Sequence, residues 1–170
     1  MKLAKEFGEE LSVPATNIFN KIVQTGEWPS RWKKEQGIPL NKVKPKQPES
    51  ESELRIISLT PFLSKAFESI IIDWLIHFIG TKMDWSQYGG TKGSSTNHYL
   101  IYMITYRLYN QDLKEPRAVL AAMVDFGKAF NRQNHNILIT KLHDMGVPGW
   151  LLNVVKGFLE GRTLVVKYKN

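Results

Sequence analysis

The stretch Ala118-Val119-Leu120-Ala121-Ala122-Met123-Val124-Asp125-Phe126-Gly127-Lys128-Ala129-Phe130 decides how this chain is read. Ala118 to Val124 is a continuous apolar run of strand length that ends at a carboxylate. A strand apolar along its whole length is one buried on both faces. Rigid backbone would therefore set Asp125 where core meets solvent. A carboxylate held there either caps the following turn or binds a hard divalent cation, whose ligands are oxygens.

Working outward, residues 134–145 and 149–160 read as two helices joined at Gly146-Val147-Pro148, and Thr163 to Lys169 reads as a strand. On the other side, a helix is expected from about Ser95 to Gln111, with Leu100, Met103, Ile104 and Leu108 inward. A polar, glycine-rich connection precedes it, Gln87 to Ser95. The clearest helix starts at Thr60-Pro61, a cap residue followed by proline at the first helical position. Its pairs Phe62/Leu63, Ala66/Phe67, Ile70/Ile71, Trp74/Leu75 and Phe78/Ile79 make a broad apolar stripe, and Gly80 closes it.

Residues 36–58 read either as a β-hairpin or as a solvated loop. Lys42, Lys44 and Lys46 alternate, as do Glu49, Glu51 and Glu53. A turn at Gln47-Pro48 would set Lys46 against Glu49, Lys44 against Glu51 and Lys42 against Glu53, each pair contributing about 0.2–1 kcal/mol. Pro45 and Pro48 oppose a regular ladder near the tip. Residues 3–24 read as helical, with Pro14 in a first turn, Ser12 as its cap and Gly26 at the end. Trp28, Pro29 and Trp32 then form a turn packed on the next element. The fold class is α+β, mostly helical with a small antiparallel β component.

The 170 residues carry a net charge of +7 and are 42% hydrophobic. That composition supports a packed core, and the charge suits a polyanionic partner without proving one. With no cysteine, disulfides, thiolate zinc sites and a cysteine nucleophile are excluded. The N-terminus lacks the apolar run of a signal peptide, and the apolar stretch Ile70 to Ile79 is interrupted by Asp73 and His77. A location inside the cell, away from membranes, is expected. Gly90-Thr91-Lys92-Gly93-Ser94-Ser95 has its lysine before the glycine, the wrong order for a phosphate loop. His77, His98, His135 and His143 have no metal-ligand spacing, and the five tryptophans read as core and lid residues.

Val124 to Phe130 closely resembles motif A of reverse transcriptases in non-LTR retrotransposons and group II introns. Gln87-Tyr88-Gly89-Gly90 with Gly93-Ser94-Ser95-Thr96 is similar to a second segment of that family. Leu54-Arg55-Ile56-Ile57-Ser58-Leu59, followed by Lys65, Phe67 and Glu68, is similar to a third. Trp28-Pro29, Trp32-Lys33 and Ile38-Pro39-Leu40 with Lys42 resemble the entry into the fingers. The segments stand in the family's order and cover about residues 14–168.

The resemblance implies an RNA-directed DNA polymerase, a nucleotidyltransferase acting on an RNA template and a DNA primer. Residues 1–35 would be a helical extension, 36–117 the fingers and 118–170 part of the palm. Asp125, with the carbonyl of Phe126, would hold catalytic magnesium, which stabilises the attacking 3′-oxygen and the leaving pyrophosphate. Arg55 would contact the triphosphate, assisted by Lys42 or Lys44. Phe126 and Phe130 would lie at the nucleotide, with Phe130 crowding a 2′-hydroxyl. Gln87, Gly89 and Gly90 would lie along the template or primer path, or form a plain turn.

Three positions depart from the family pattern: Asn131 for an aspartate, Ile56 for a proline and Gly90 for an aromatic. The family's second carboxylate pair, an Asp-Asp hairpin beyond a Pro-Gln-Gly motif, is absent from these residues. The chain alone is therefore expected to be inactive. Its Ala118–Val124 strand, lacking that hairpin, is expected to be an unpaired edge that recruits a second copy. The competing expectation is a non-catalytic module of retrotransposon origin that binds RNA or protein.

Overall fold

The computed structural model describes residues 6–42, 50, 53–105, 122–127, 129 and 132–166. They form two compact units. One joins the described residues up to Gly80 with those from Asn134 onward, and the other runs from Thr81 to Gln133.

The first unit opens with helix α1 (Gly8–Thr25), which ends at Gly26 in the left-handed conformation, φ 73°. Pro14 lies inside this helix, not at the start of a new one. Ser12 does not cap it, because its hydroxyl donates to the carbonyl of Glu9 at 2.6 Å. A 3-10 turn (Ser30–Lys33) follows, with Trp28 and Trp32 buried as expected. Strand β1 (Lys34–Asn41) then pairs antiparallel with β2 (Leu54–Leu59), from Gln36 opposite Leu59 to Asn41 opposite Leu54. That register continues to the Lys42–Glu53 pair expected from the charge alternation, where the Lys42 amide donates to the Glu53 carbonyl at 2.9 Å. The Lys44–Glu51 and Lys46–Glu49 pairs fall outside the described residues.

Helix α2 (Phe62–Ile79) begins one residue later than expected, with Pro61 at the cap position and no side-chain cap from Thr60. Its Pro61 carbonyl accepts from the Lys65 amide at 3.0 Å. Gly80 is right-handed, so the chain runs on into a short 3-10 turn (Gly80–Lys82). After the second unit comes a helical hairpin. It consists of α4 (His135–Asp144), capped by the Asn134 side chain, and α5 (Gly149–Leu159). Strand β3 (Thr163–Val166) pairs with β1 in parallel, Lys34 opposite Thr163 through Gly37 opposite Val166. The sheet order is β2-β1-β3. The α+β class stands, and the sheet is mixed, because β3 adds a parallel edge to the antiparallel pair.

The core is aromatic and centred on Trp28. Its ring lies 5.2 Å from that of Phe67 on α2 and 5.1 Å from that of Phe158 on α5. Its indole N–H donates to the Val154 carbonyl of α5 at 2.9 Å, so the one polar atom of this buried ring is satisfied. Ile22, Phe67, Leu151 and Val154 are almost wholly excluded from solvent around it. Helix α5 approaches the α1 terminus so closely that a Cβ at Gly157 would stand 1.9 Å from the Gly26 carbonyl oxygen. Only glycine fits there.

The second unit contains a loop (Met83–Ser95) and helix α3 (Thr96–Tyr102), whose N-cap Ser95 accepts from the His98 amide at 3.3 Å. Helix α3 runs on into a π-helical turn at residues 103–105, and positions 106–111 of the expected helix lie outside the described residues. Leu100 and Ile104 are exposed, not inward, and Leu108 is outside them. The expected strand is not formed where it is described: residues 122–126 have no regular structure, and Met123 and Val124 are 95% and 80% exposed. Apolar side chains alone do not hold a strand, which needs a neighbour for its backbone groups.

Candidate functional site

The first unit places two of the expected cations on one side of its sheet. Residues directly opposite in an antiparallel pair share a face. Arg55 stands opposite Leu40, so it shares a face with Ile38, Leu40 and Ile57. The same register carries Lys42, opposite Glu53, onto that face. Diagonal neighbours of this kind lie roughly 7–8 Å apart at Cα. Arg55 is exposed. Lys44 is outside the described residues.

A polar knot ties the strands of this sheet together. Arg162, just before β3, donates through Nε to a Glu35 carboxylate oxygen at 2.7 Å and through Nη2 to the same oxygen. Ser58 of β2 donates its hydroxyl to the other Glu35 oxygen. Arg162 also donates to the Phe158 carbonyl at 3.3 Å and lies 4.1 Å above the Phe158 ring. Glu35 on β1 is thus tied to both neighbouring strands and to α5. Both charged side chains are largely buried, at 18% and 15% exposure, so the pair is shielded from the water that weakens surface ion pairs.

In the second unit, the loop holding Gln87, Gly89 and Gly90 is knitted by its own hydrogen bonds. Gln87 donates its side-chain amide to the Gly89 carbonyl at 2.8 Å. Thr91 donates its hydroxyl to the Gln87 carbonyl at 2.8 Å. Asp84 accepts at one oxygen from both the amide and the hydroxyl of Ser86, at 2.8 and 2.6 Å. Those bonds hold its carboxyl below the usual carboxylate range. Gly90 and Gly93 take φ of 74° and 79°, the left-handed region that glycine enters without strain. The loop borders a hollow of about 520 Å³ lined by Gln87, Tyr88, Ser94, Ser95 and Tyr99 among others.

Asp125 stands exposed in the irregular segment 122–127, beside Phe126, which is 77% exposed. Phe130 is outside the described residues, and so is Asn131. Among the described residues no three His, Asp or Glu side chains come together as a metal site. Asp125 and the Phe126 carbonyl are oxygen donors of the right kind for magnesium, but one carboxylate does not complete a two-metal site. The hairpin cations and Asp125 belong to different compact units.

Sequence comparison decides the family. The profile described as reverse transcriptase (RNA-dependent DNA polymerase) matches residues 40–170. The chain belongs to the reverse transcriptase family. Its relatives include the RNA-directed DNA polymerase from mobile element jockey of Drosophila melanogaster. That protein is 30% identical over 151 residues, which are 88% of this chain and 16% of the relative. The probable RNA-directed DNA polymerase from transposon X-element of the same organism is 31% identical over 156 residues, 90% of this chain and 17% of the relative. This reverse transcriptase chain thus spans about a sixth of the length of the curated relatives it matches. The non-LTR resemblance carried by Asp125, Gln87 and Arg55 agrees with these relatives. Among the described residues no helix is long and apolar enough to cross a membrane. Sequence reasoning did not find the Glu35–Arg162 knot, since its partners are far apart along the chain. It also read Trp85 as a lid or core residue, although the ring is 72% exposed.

Proposed function

We propose that this chain is the part of an RNA-directed DNA polymerase that receives template and incoming deoxynucleotide and supplies one catalytic carboxylate. The match of the reverse transcriptase profile over residues 40–170, with Asp125 inside it on an exposed segment, carries this reading. Asp125 and the Phe126 carbonyl are this chain's share of the magnesium donors. Arg55, with Lys42 and Lys44, binds the triphosphate, where a planar forked cation suits phosphate oxygens. Phe126 and Phe130 flank the nucleotide, and Phe130 selects against a 2′-hydroxyl by crowding it. Gln87, Gly89 and Gly90 line the template or primer path. In this reading residues 1–35 are a helical extension, 36–117 fingers and 118–170 part of the palm. The protein works inside the cell, in cytoplasm or nucleus. The 170 residues contain no Asp-Asp pair, and the chain by itself is inactive. Exposed Met123, Val124 and Phe126 support pairing of two copies through this segment, which sedimentation as a clean monomer would refute.

The test is RNA-templated primer extension with magnesium, run beside an RNA-binding titration at two salt concentrations. No extension with salt-sensitive binding is expected. Extension abolished by Asp125→Ala would overturn the half-site argument. Absence of RNA binding at low salt would overturn the role in handling template.

A further inference from the structure

Four rings of the second unit gather within residues 85–102. Trp85 meets Tyr102 edge-on at 5.2 Å, with the planes at 84°. Tyr88 lies 5.6 Å from Tyr99 and 6.0 Å from Tyr102. Tyr99 and Tyr102 are three positions apart on α3, which brings them to one face. These rings do not form a core. Trp85 keeps most of its surface in solvent, whereas Trp28 and Trp32 are buried. Nor is the surface simply apolar. Trp85 and Tyr102 border a hollow of about 350 Å³, and Ser86 and Tyr99 line both this and the larger hollow beside Gln87. Hydroxyls of Ser86, Ser94, Ser95 and Thr96 thus stand next to open aromatic surface.

We infer that this cluster is a stacking site for unpaired bases of single-stranded RNA, an inference resting on the polymerase reading above. Three features point to that occupant. Every nucleobase has a π-face, so an exposed ring gives affinity without sequence preference. Hydroxyls beside the rings suit ribose and base edges, which carry both donors and acceptors. Lys92 lies between Tyr88 and Tyr99 in a chain of net charge +7, and Asp84 already accepts two hydrogen bonds from Ser86. The loop's internal hydrogen bonds hold the rings in place, so little ordering is needed on binding. Trp85 and Tyr102 make the principal stack, and Tyr88 and Tyr99 support it.

The experiment titrates a short 5′-labelled oligouridylate and, separately, a labelled blunt RNA duplex with the 170-residue chain, following the fluorescence anisotropy of the label. Trp85→Ala should weaken oligouridylate binding about 5- to 150-fold, the range for one lost base–aromatic stack. The slope of log affinity against log salt should not change, because no phosphate contact is removed. Trp85→Phe should retain most of the affinity, and duplex binding should be indifferent to either change. Unchanged oligouridylate binding by both Trp85→Ala and Tyr102→Ala would overturn the stacking site and leave the polymerase reading intact. Equal weakening on duplex would also overturn it. A wild-type chain that binds no RNA at low salt would overturn both.

Discussion

Gly157→Ala should destabilise the first unit, although alanine is the better helix former. A Cβ at Gly157 would lie 1.9 Å from the Gly26 oxygen, 3.1 Å from its carbonyl carbon and 3.3 Å from Cδ1 of Trp28. An ordinary carbon–oxygen contact is about 3.3 Å, so roughly 1.4 Å of movement is demanded. The Gly26 turn cannot retreat freely. Its amide donates to the Ile22 carbonyl at 2.7 Å, and its other side faces the backbone of Asn153. Moving α5 instead would stretch the bond from Trp28 to the Val154 carbonyl. Overpacking against a backbone atom costs about 1–3 kcal/mol. Loss of the indole's partner costs about 1–3 kcal/mol more. Better helix propensity returns about 1 kcal/mol. The net loss is about 3 kcal/mol. With a urea slope of about 1–3 kcal/mol per M, the unfolding midpoint should fall by at least about 1 M. Gly149→Ala, in the same helix with nothing within 4 Å of the added carbon, is the control and should stay within about 1 kcal/mol of wild type. A Gly157→Ala midpoint equal to or above wild type would refute the packing of α5 on the α1 terminus.

Glu35→Ala should cost about 3 kcal/mol in the same urea assay, because it leaves Arg162 charged and largely buried without its partner. Trp28→Phe keeps a ring but loses the hydrogen bond to the Val154 carbonyl, which keeps its helical partner, and a loss of about 0.5–1.5 kcal/mol is expected by thermal or chemical unfolding. Asp125→Ala should leave stability within about 0.5 kcal/mol of wild type, since the residue is exposed, so any effect on primer extension in a complete polymerase can be read as functional. Asp84 sets a pH dependence in the second unit. Its folded pKa lies below the ordinary 3.8, so its contribution is present above that value and fades as pH falls through the lowered one. Trp85 fluorescence should therefore hold steady down to about pH 4 and change only in stronger acid, whereas Asp84→Asn should abolish that acid transition.

Local signals in the chain foretold local structure well. The apolar stripe of Phe62 to Ile79 gave α2, and Gly146 with Pro148 marked the α4–α5 corner. Alternating lysines and glutamates pointed to the hairpin register, which the described ladder follows to Lys42 and Glu53. What was not legible is non-local. No periodicity in Lys34–Gly37 announces a parallel partner at Thr163–Val166, and no motif pairs Glu35 with Arg162. Pro14 with Ser12 before it suggests a first helical turn and its cap, yet the helix runs continuously through both. The apolar run before Asp125 was read as a buried strand on composition alone. Where it is described, at residues 122–124, the segment has no regular structure and is exposed, since a strand exists only with a partner for its backbone. For the site, the residue types come from resemblance alone, and the 170 residues contain no Asp-Asp pair.

The parallel β1–β3 pairing has a consequence for how the protein is made. A ribosome releases the chain from the N-terminus, so β1 and β2 emerge long before β3. During that interval β1 has one free edge, and the Trp28 pocket has no α5 to fill it. The first unit can close only after the whole second unit has been synthesised between its two halves. Contacts this distant in sequence fold slowly, because chain closure must come before they stabilise anything. A pause or truncation between Thr81 and Asn134 would therefore leave an exposed strand edge and aromatic surface, the features that chaperones capture and aggregates recruit.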